Sequence, residues 1–152
     1  MKNIKSIFSL FLVLFFLGQG SVYAQLTTLG TDFYVGFMEN NRTSNRSDKA
    51  VVIITANENL TGFIRTPVRT IDFELQAGEQ FVQEFSSDSE DIIHRNSGEI
   101  EFKSLYISTT GNVSVHAFNE RARSADGTVV LPLTALGKEY YVMAHHDVFG
   151  PD

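Results

Sequence analysis

Four groups of side chains in this chain have types and spacings that could support chemistry. Glu99 with Glu101, and Asp72 with Glu74, are carboxylates two residues apart. Two facing carboxylates are the equipment of glycoside hydrolysis. In an alternating strand, however, such pairs usually form the solvated face, and no catalytic residue is assigned. Asp88, Glu90 and Asp91 gather oxygen donors in one short stretch, the ligand type calcium prefers, but without the Asp-x-Asp-x-Asp-Gly spacing of a calcium loop. His145-His146-Asp147, with the separate His94 and His116, supply imidazoles. Adjacent residues of a strand point to opposite faces, so His145 and His146 cannot hold one ion together, and no metal site is assigned. Arg121 and Arg123, followed by Asp126-Gly127, are the most informative group. A guanidinium fork can take up a carboxylate or phosphate of a partner, or can brace its own loop through Asp126. Arg121, Arg123 and Asp126 therefore form the candidate partner-binding loop, with an internal Arg–Asp brace as the favoured role.

No nucleophile elbow, phosphate-binding glycine loop or His-Glu-x-x-His pattern occurs, so the sequence reads as non-enzymatic and cofactor-free. The chain has 152 residues and no Cys, which removes disulfides, thiolate metal sites and Cys nucleophiles. Acidic residues outnumber basic ones 18 to 12, a balance that repels nucleic acid. With 43% hydrophobic and 12% aromatic residues, the chain can bury a core.

Residues 1–24 read as a secretory signal peptide. Lys2 and Lys5 precede an apolar run from Ile7 to Leu17, and Val22-Tyr23-Ala24 offers small residues where signal peptidase cuts. This run of eleven residues, broken only by Ser9, makes a helix of about 16 Å, too short for a bilayer core of about 30 Å. Removing the leader with its two lysines leaves 10 basic residues against 18 acidic ones, a net charge of −8. No second long apolar run follows, so the expected product is exported, secreted or surface-held, without an integral membrane segment.

The elements that must carry these residues have period two. Thr70–Leu75 alternates strictly, with Ile71, Phe73 and Leu75 on the buried side. Gln76–Glu79 is a turn, and Gln80–Phe85 is expected to complete a hairpin. Ala50–Ala56 is a β-branched run suited to a strand covered on both faces, turning at Asn57-Glu58-Asn59 into Thr61–Thr66. Leu105–Ser108 and Val113–Phe118 flank Thr110-Gly111-Asn112 and predict a second hairpin. Asp32–Met38, Glu99–Phe102 and Glu139–Ala144 predict further strands. Polar stretches at 39–49, 86–91 and 120–127 read as loops, with Gly127 in a tight turn of positive φ. Thr134–Leu136 is expected to form a single turn. About eight short strands with no helical period predict an all-β, antiparallel, sandwich-like module, with part of a propeller or larger multi-module assembly as the alternative.

Two stretches carry a family resemblance. Gly30-Thr31-Asp32-Phe33-Tyr34 resembles the Gly-Thr-Asp-Phe-aromatic opening of the IgG Fc-binding protein N-terminal domain family. Residues 105–141 resemble its most recognisable stretch, with Val-Ser-Val-His-Ala-Phe-Asn at 113–119, then Ser124, Asp126, Gly127, Leu131, Pro132, Leu136, Gly137, Glu139, Tyr140 and Tyr141 at family positions. The resemblance implies a non-catalytic binding or adhesion module common in exported bacterial proteins, with a protein, glycoprotein or glycan partner. It carries over no ligand residue and does not imply binding of IgG. The family domain continues beyond Glu139-Tyr140-Tyr141, so residues 25–152 read as the first part of a domain, with further β modules expected downstream. A carbohydrate-binding accessory domain is the second expectation, with Tyr34, Tyr106, Tyr140 and Tyr141 as rings for sugar stacking. A structural stalk module is the third.

Overall fold

A computed structural model describes residues 27–40, 47–86, 90–96, 98–122 and 124–140. These form an all-β, antiparallel, sandwich-like structure. The strands are β1 (Leu29–Val35), β2 (Phe37–Met38), β3 (Lys49–Ala56), β4 (Leu60–Arg65), β5 (Thr70–Leu75), β6 (Gln80–Ser86), β7 (Ile93–His94), β8 (Leu105–Arg121) and β9 (Ser124–Val130). One 3-10 turn, Leu133–Ala135, follows, where a turn is expected. Seven strands make one sheet, and β2 and β7 pair in parallel as a second, small one.

β8 is the organising element and corrects the second predicted hairpin. Thr110-Gly111-Asn112 does not turn, and the strand runs unbroken for 17 residues. Leu105, Ile107, Thr109, Val113, Val115 and Ala117 keep one phase throughout and are all buried. Gly111 serves a close approach instead of a bend: a Cβ there would lie 2.6 Å from Glu58 Oε1.

The first half of β8 lies between β4 and β1, and the second half between β3 and β9. β3 and β4 run one after the other along one flank, and β9 and β1 share the other. Opposite Thr109–Asn112, β1 advances by a single residue between Gly30 and Asp32, an irregularity that marks the junction of the two halves. The other predicted hairpin is corrected in its pairing alone. The turn at Gln76–Glu79 is present, with Gly78 at φ 84° and Glu79 N–H donating to Gln76 O at 3.0 Å. Yet β5 pairs with β4, and β6 with β3.

Both halves turn the same face to one core. Phe33, Val52, Ile54, Ile64, Phe85, Ile107 and Val115 sit at its centre, and Ile71 and Phe81 pack on its margin. Alternation makes this possible, because each strand offers every second side chain inward. β3 follows it too: Val52 and Ile54 are buried while Val51 and Ile53 are half-buried, so the strand is fully covered on one face only.

Three further expectations change. Glu99–Phe102 has no regular structure and joins no strand. The stretch 120–127 is not an open loop, since β8 and β9 pair as far as Arg121 opposite Ser124. Gly127 lies inside β9 opposite Phe118, where a Cβ would meet the Phe118 ring at 2.7 Å, and its φ is not positive. The leader, the Tyr141–Ala144 part of the last predicted strand, Asp88, Arg123, His145 and His146 lie outside the described residues.

Candidate functional site

The outer face of the β1–β8–β4–β5 half carries an aromatic patch. Register alone assembles it. Tyr34 on β1 is opposite Tyr106 on β8, which is opposite Arg65 on β4. One step along, Asp32, Ser108, Phe63 and Asp72 form a parallel row across the same four strands. All are on the face opposite the core residues Phe33, Ile64, Ile107 and Phe73, because strand neighbours alternate.

The rings touch. Tyr34 and Tyr106 are tilted with centroids 5.0 Å apart, and Phe63 meets Tyr106 edge-on at 5.9 Å. The Arg65 guanidinium lies over both Phe63 and Tyr106, at 5.3 and 5.5 Å from the ring centres. Tyr34 stays 57% exposed, so its ring is available. Asp32 fixes the patch from one side: Tyr106 donates its hydroxyl to Oδ1 at 2.5 Å and Thr31 donates to Oδ2 at 2.7 Å. These hydroxyls, Tyr106 first, hold the Asp32 carboxyl below its ordinary range, and the same bond raises the Tyr106 phenol above its own. Asp32 is thus an ionised acceptor at neutral pH.

Beside the rings runs a groove of about 560 Å³, lined by Thr61, Phe63, Asp72, Glu74, Ser108 and Thr110 among others. Gly62 in its floor lets the backbone lie tight on the core beneath: a Cβ there would point to the buried side and lie within 2.8 Å of Phe73, Thr109 and the Ser108 carbonyl. The surface offers apolar ring faces, carboxylate acceptors and hydroxyl groups in contact with one another.

The sequence-level candidates are distributed elsewhere. Arg121 turns inward, its side chain 13% exposed, and approaches Glu39 at 3.3 Å and Asp48 at 3.6 Å. Arg95 reaches the same carboxylates at 3.1 and 3.2 Å. Asp48 is almost fully buried and also accepts from the Asn40 backbone N–H at 3.1 Å. Asp126 faces Asn119 across the β8–β9 ladder and lines a second groove. Arg121 therefore braces Glu39 and Asp48.

Of the paired carboxylates, Asp72 and Glu74 border the groove, whereas Glu99 and Glu101 separate. Glu99 is exposed; the Glu101 carboxylate is only 8% exposed and accepts from Lys103 Nζ, from the backbone of Arg95 and Asn96, and from the Asn96 side chain. Lys103 above all, then these backbone donors, pull the Glu101 carboxyl down to about 2. Glu90 is gripped by Arg69 at 2.5 Å, and Asp91 by Lys103 at 3.0 Å, so these two acids are occupied by cations of the chain itself. His94 stands 3.7 Å from Glu101, and His116 lies mid-strand on β8 opposite Ile53. Among the described residues no cluster of three His, Asp or Glu side chains is placed to hold a metal ion.

Sequence reasoning named Tyr34 and Tyr106 but missed Phe63 and Arg65. The signal was present in the alternation of Thr61, Phe63 and Arg65 against buried Leu60 and Ile64. Lacking was the knowledge that β4 lies beside β8. Tyr140, the third ring expected to stack on sugar, is 62% exposed near the 3-10 turn, with its hydroxyl on Gly137 O at 2.8 Å. No family model, curated protein or solved structure matches the chain.

Proposed function

We propose that this chain is a non-catalytic, exported binding module that holds a glycan or the glycan portion of a glycoprotein on the outer face of β1, β8 and β4. The contiguous Tyr34–Tyr106–Phe63 patch beside a hydroxyl- and carboxylate-lined groove carries this reading. Pyranose rings have one apolar C–H face that packs on an aromatic ring and a rim of hydroxyls that need acceptors. Asp32 is ionised and held in place, so it accepts hydrogen bonds from sugar hydroxyls without rearrangement. Asp32 and Glu101 are both held in their charged form at neutral pH, which suits acceptors and braces and not a proton-donating acid. The leader and the resemblance to the IgG Fc-binding N-terminal domain family support a secreted or cell-surface setting and an adhesive role.

A glycan array probed with the purified protein, with mucin and IgG on the same surface, tests the reading. We expect retention on a defined set of oligosaccharides or on glycosylated mucin, abolished by Tyr34→Ala and reduced at least tenfold by Asp32→Asn. Absence of retention on every glycan and glycoprotein, or retention indifferent to both substitutions, overturns it.

A further inference from the structure

Away from the aromatic face, two features are left open near the small β2–β7 sheet among the described residues. The first is a protruding apolar pair. Ile100 and Phe102 are 88% and 89% exposed, the most exposed large hydrophobic side chains among the described residues. They are not on a slack loop. The residues after and between them, Lys103 and Glu101, are turned inward and joined at 2.7 Å, and Lys103 also donates to Ile93 O at 3.3 Å. Glu101 in turn holds the backbone of Arg95 and Asn96. The alternating exposure thus presents Ile100 and Phe102 together on a segment pinned by its inward side chains that pairs with no strand.

The second is an edge with a groove. β9 pairs with β8 alone among the described residues, and Ala125–Val129 are exposed on both faces. Sheet edges are usually guarded by lysine, proline or a bulge. β5 carries Asp72 and Glu74, and β6 carries Glu84 paired with Lys49 at 2.7 Å. β9 has only Asp126, which shares the inner face with Thr128. Along that inner face runs a groove of about 320 Å³ whose walls include Phe37, Met38, Ala117, Asn119, Gly127 and Thr128. Met38 is 75% exposed at its rim.

We propose that two copies of this chain associate reciprocally, the Ile100–Phe102 segment of each lying along β9 of the other with its apolar side chains in the groove. An extended segment added to a free sheet edge, with a pocket for alternate side chains, is a recurrent recognition mode. The groove wall β2 pairs directly with β7, and Lys103 grips Ile93 of β7, so knob and groove are close together on one end of the molecule. That placement allows a single twofold axis to satisfy both contacts at once. One Ile–Phe pair covers about 300 Å². Two such pairs and the two grooves they enter bury about 1,200 Å², the lower bound for a specific interface. An interface at that bound belongs with the weak, transient ones.

Sedimentation velocity of the purified protein, from low micromolar to several hundred micromolar, reads the outcome. We expect a concentration-dependent doubling of mass that stops at the dimer. Phe102→Asp and, separately, Met38→Arg each weaken it at least tenfold, whereas Phe102→Leu and the distant Val82→Asp do not. Thermal melts of the variants should match the parent, since each side chain is largely exposed. A monomer at all concentrations overturns the proposal. So does a dimer indifferent to Met38→Arg, or growth into open chains, which would require a one-way contact.

Discussion

The outer face of β1–β8–β4 and the 90–104 segment both present aromatic side chains to solvent, but by opposite means. On the sheet face, Tyr34, Tyr106 and Phe63 meet because backbone ladders put their strands in register, and side chains such as Asp32 add fastenings to a position already set. Among the described residues of the 90–104 segment the only ladder is the two-residue β7. Position there depends on side chains: Arg69 on Glu90, Lys103 on Asp91 and Glu101, and Arg95 on Glu39 and Asp48. A site held by a ladder withstands loss of a surface residue, because the strand stays where its neighbours put it. A site held by charges depends on each partner and on pH.

The largest expected effect falls on the charge-held region. Asp48→Ala leaves Arg95 and Arg121 sharing Glu39 around a buried gap, and removing one partner of such a network costs about 3 kcal/mol. Chemical denaturation should show that loss, with Asp48→Asn milder because the amide still accepts from Asn40 N–H. On the ladder side, Gly62→Ala is the change that should hurt. Its Cβ would press within 2.7 Å of Phe73 and Thr109 and 2.8 Å of a backbone oxygen. Overpacking of this kind costs about 1–3 kcal/mol, and the groove beside Phe63 should deform with it, so glycan retention and Tm should fall together.

The pH response should separate the regions next. The folded Glu101 carboxyl titrates at about 2, below its ordinary value of 4.5. Its stabilising contribution is complete above that ordinary value and is lost as pH falls from there toward 2. Hydrogen exchange of the Arg95 and Asn96 amides should therefore accelerate on acidification through this window, and Glu101→Gln should remove that pH dependence. The smallest stability effect belongs to Tyr34→Ala. With the ring mostly in water and the strand held by its ladder, the loss should be within about 0.5 kcal/mol while glycan retention disappears. A fall in Tm of several degrees would show that the ring supports the strand and would weaken the contrast between the two regions.

The strands were legible where alternation met a buried face: Ile71, Phe73 and Leu75 lie on the core side as their spacing predicts, as do Val113, Val115 and Ala117. Their partners were not. Thr110-Gly111-Asn112 has the composition of a turn, and only the unbroken phase from Leu105 to Ala117 argued against one. Whether β6 returns to β5 or passes on to β3 is decided by which faces must close the core, a long-range condition that local residue types do not encode. The site followed the same rule. Two of its rings could be named from the sequence, but the Asp32–Tyr106 bond joins residues 74 apart and exists only through the β1–β8 register. Glu101 misled in the reverse direction: Glu-Ile-Glu-Phe has strand alternation, yet its carboxylates part ways because Lys103 and two backbone donors draw Glu101 inward.

The length of β8 also sets an order of events during synthesis. β3, β4, β5 and β6 are contiguous in the chain and can begin to pair once Ser86 has emerged. β1 has to wait, for Val35 meets Leu105 and Leu29 meets Ser114. Throughout that interval Phe33 and Val35 have no ladder partner, and the core of neither half can close. A single late strand then joins both halves at once, and β9 closes the second. A chain interrupted between Ser86 and Leu105 should accordingly remain a target for chaperones and proteases, and one extended through Val130 should abruptly cease to be.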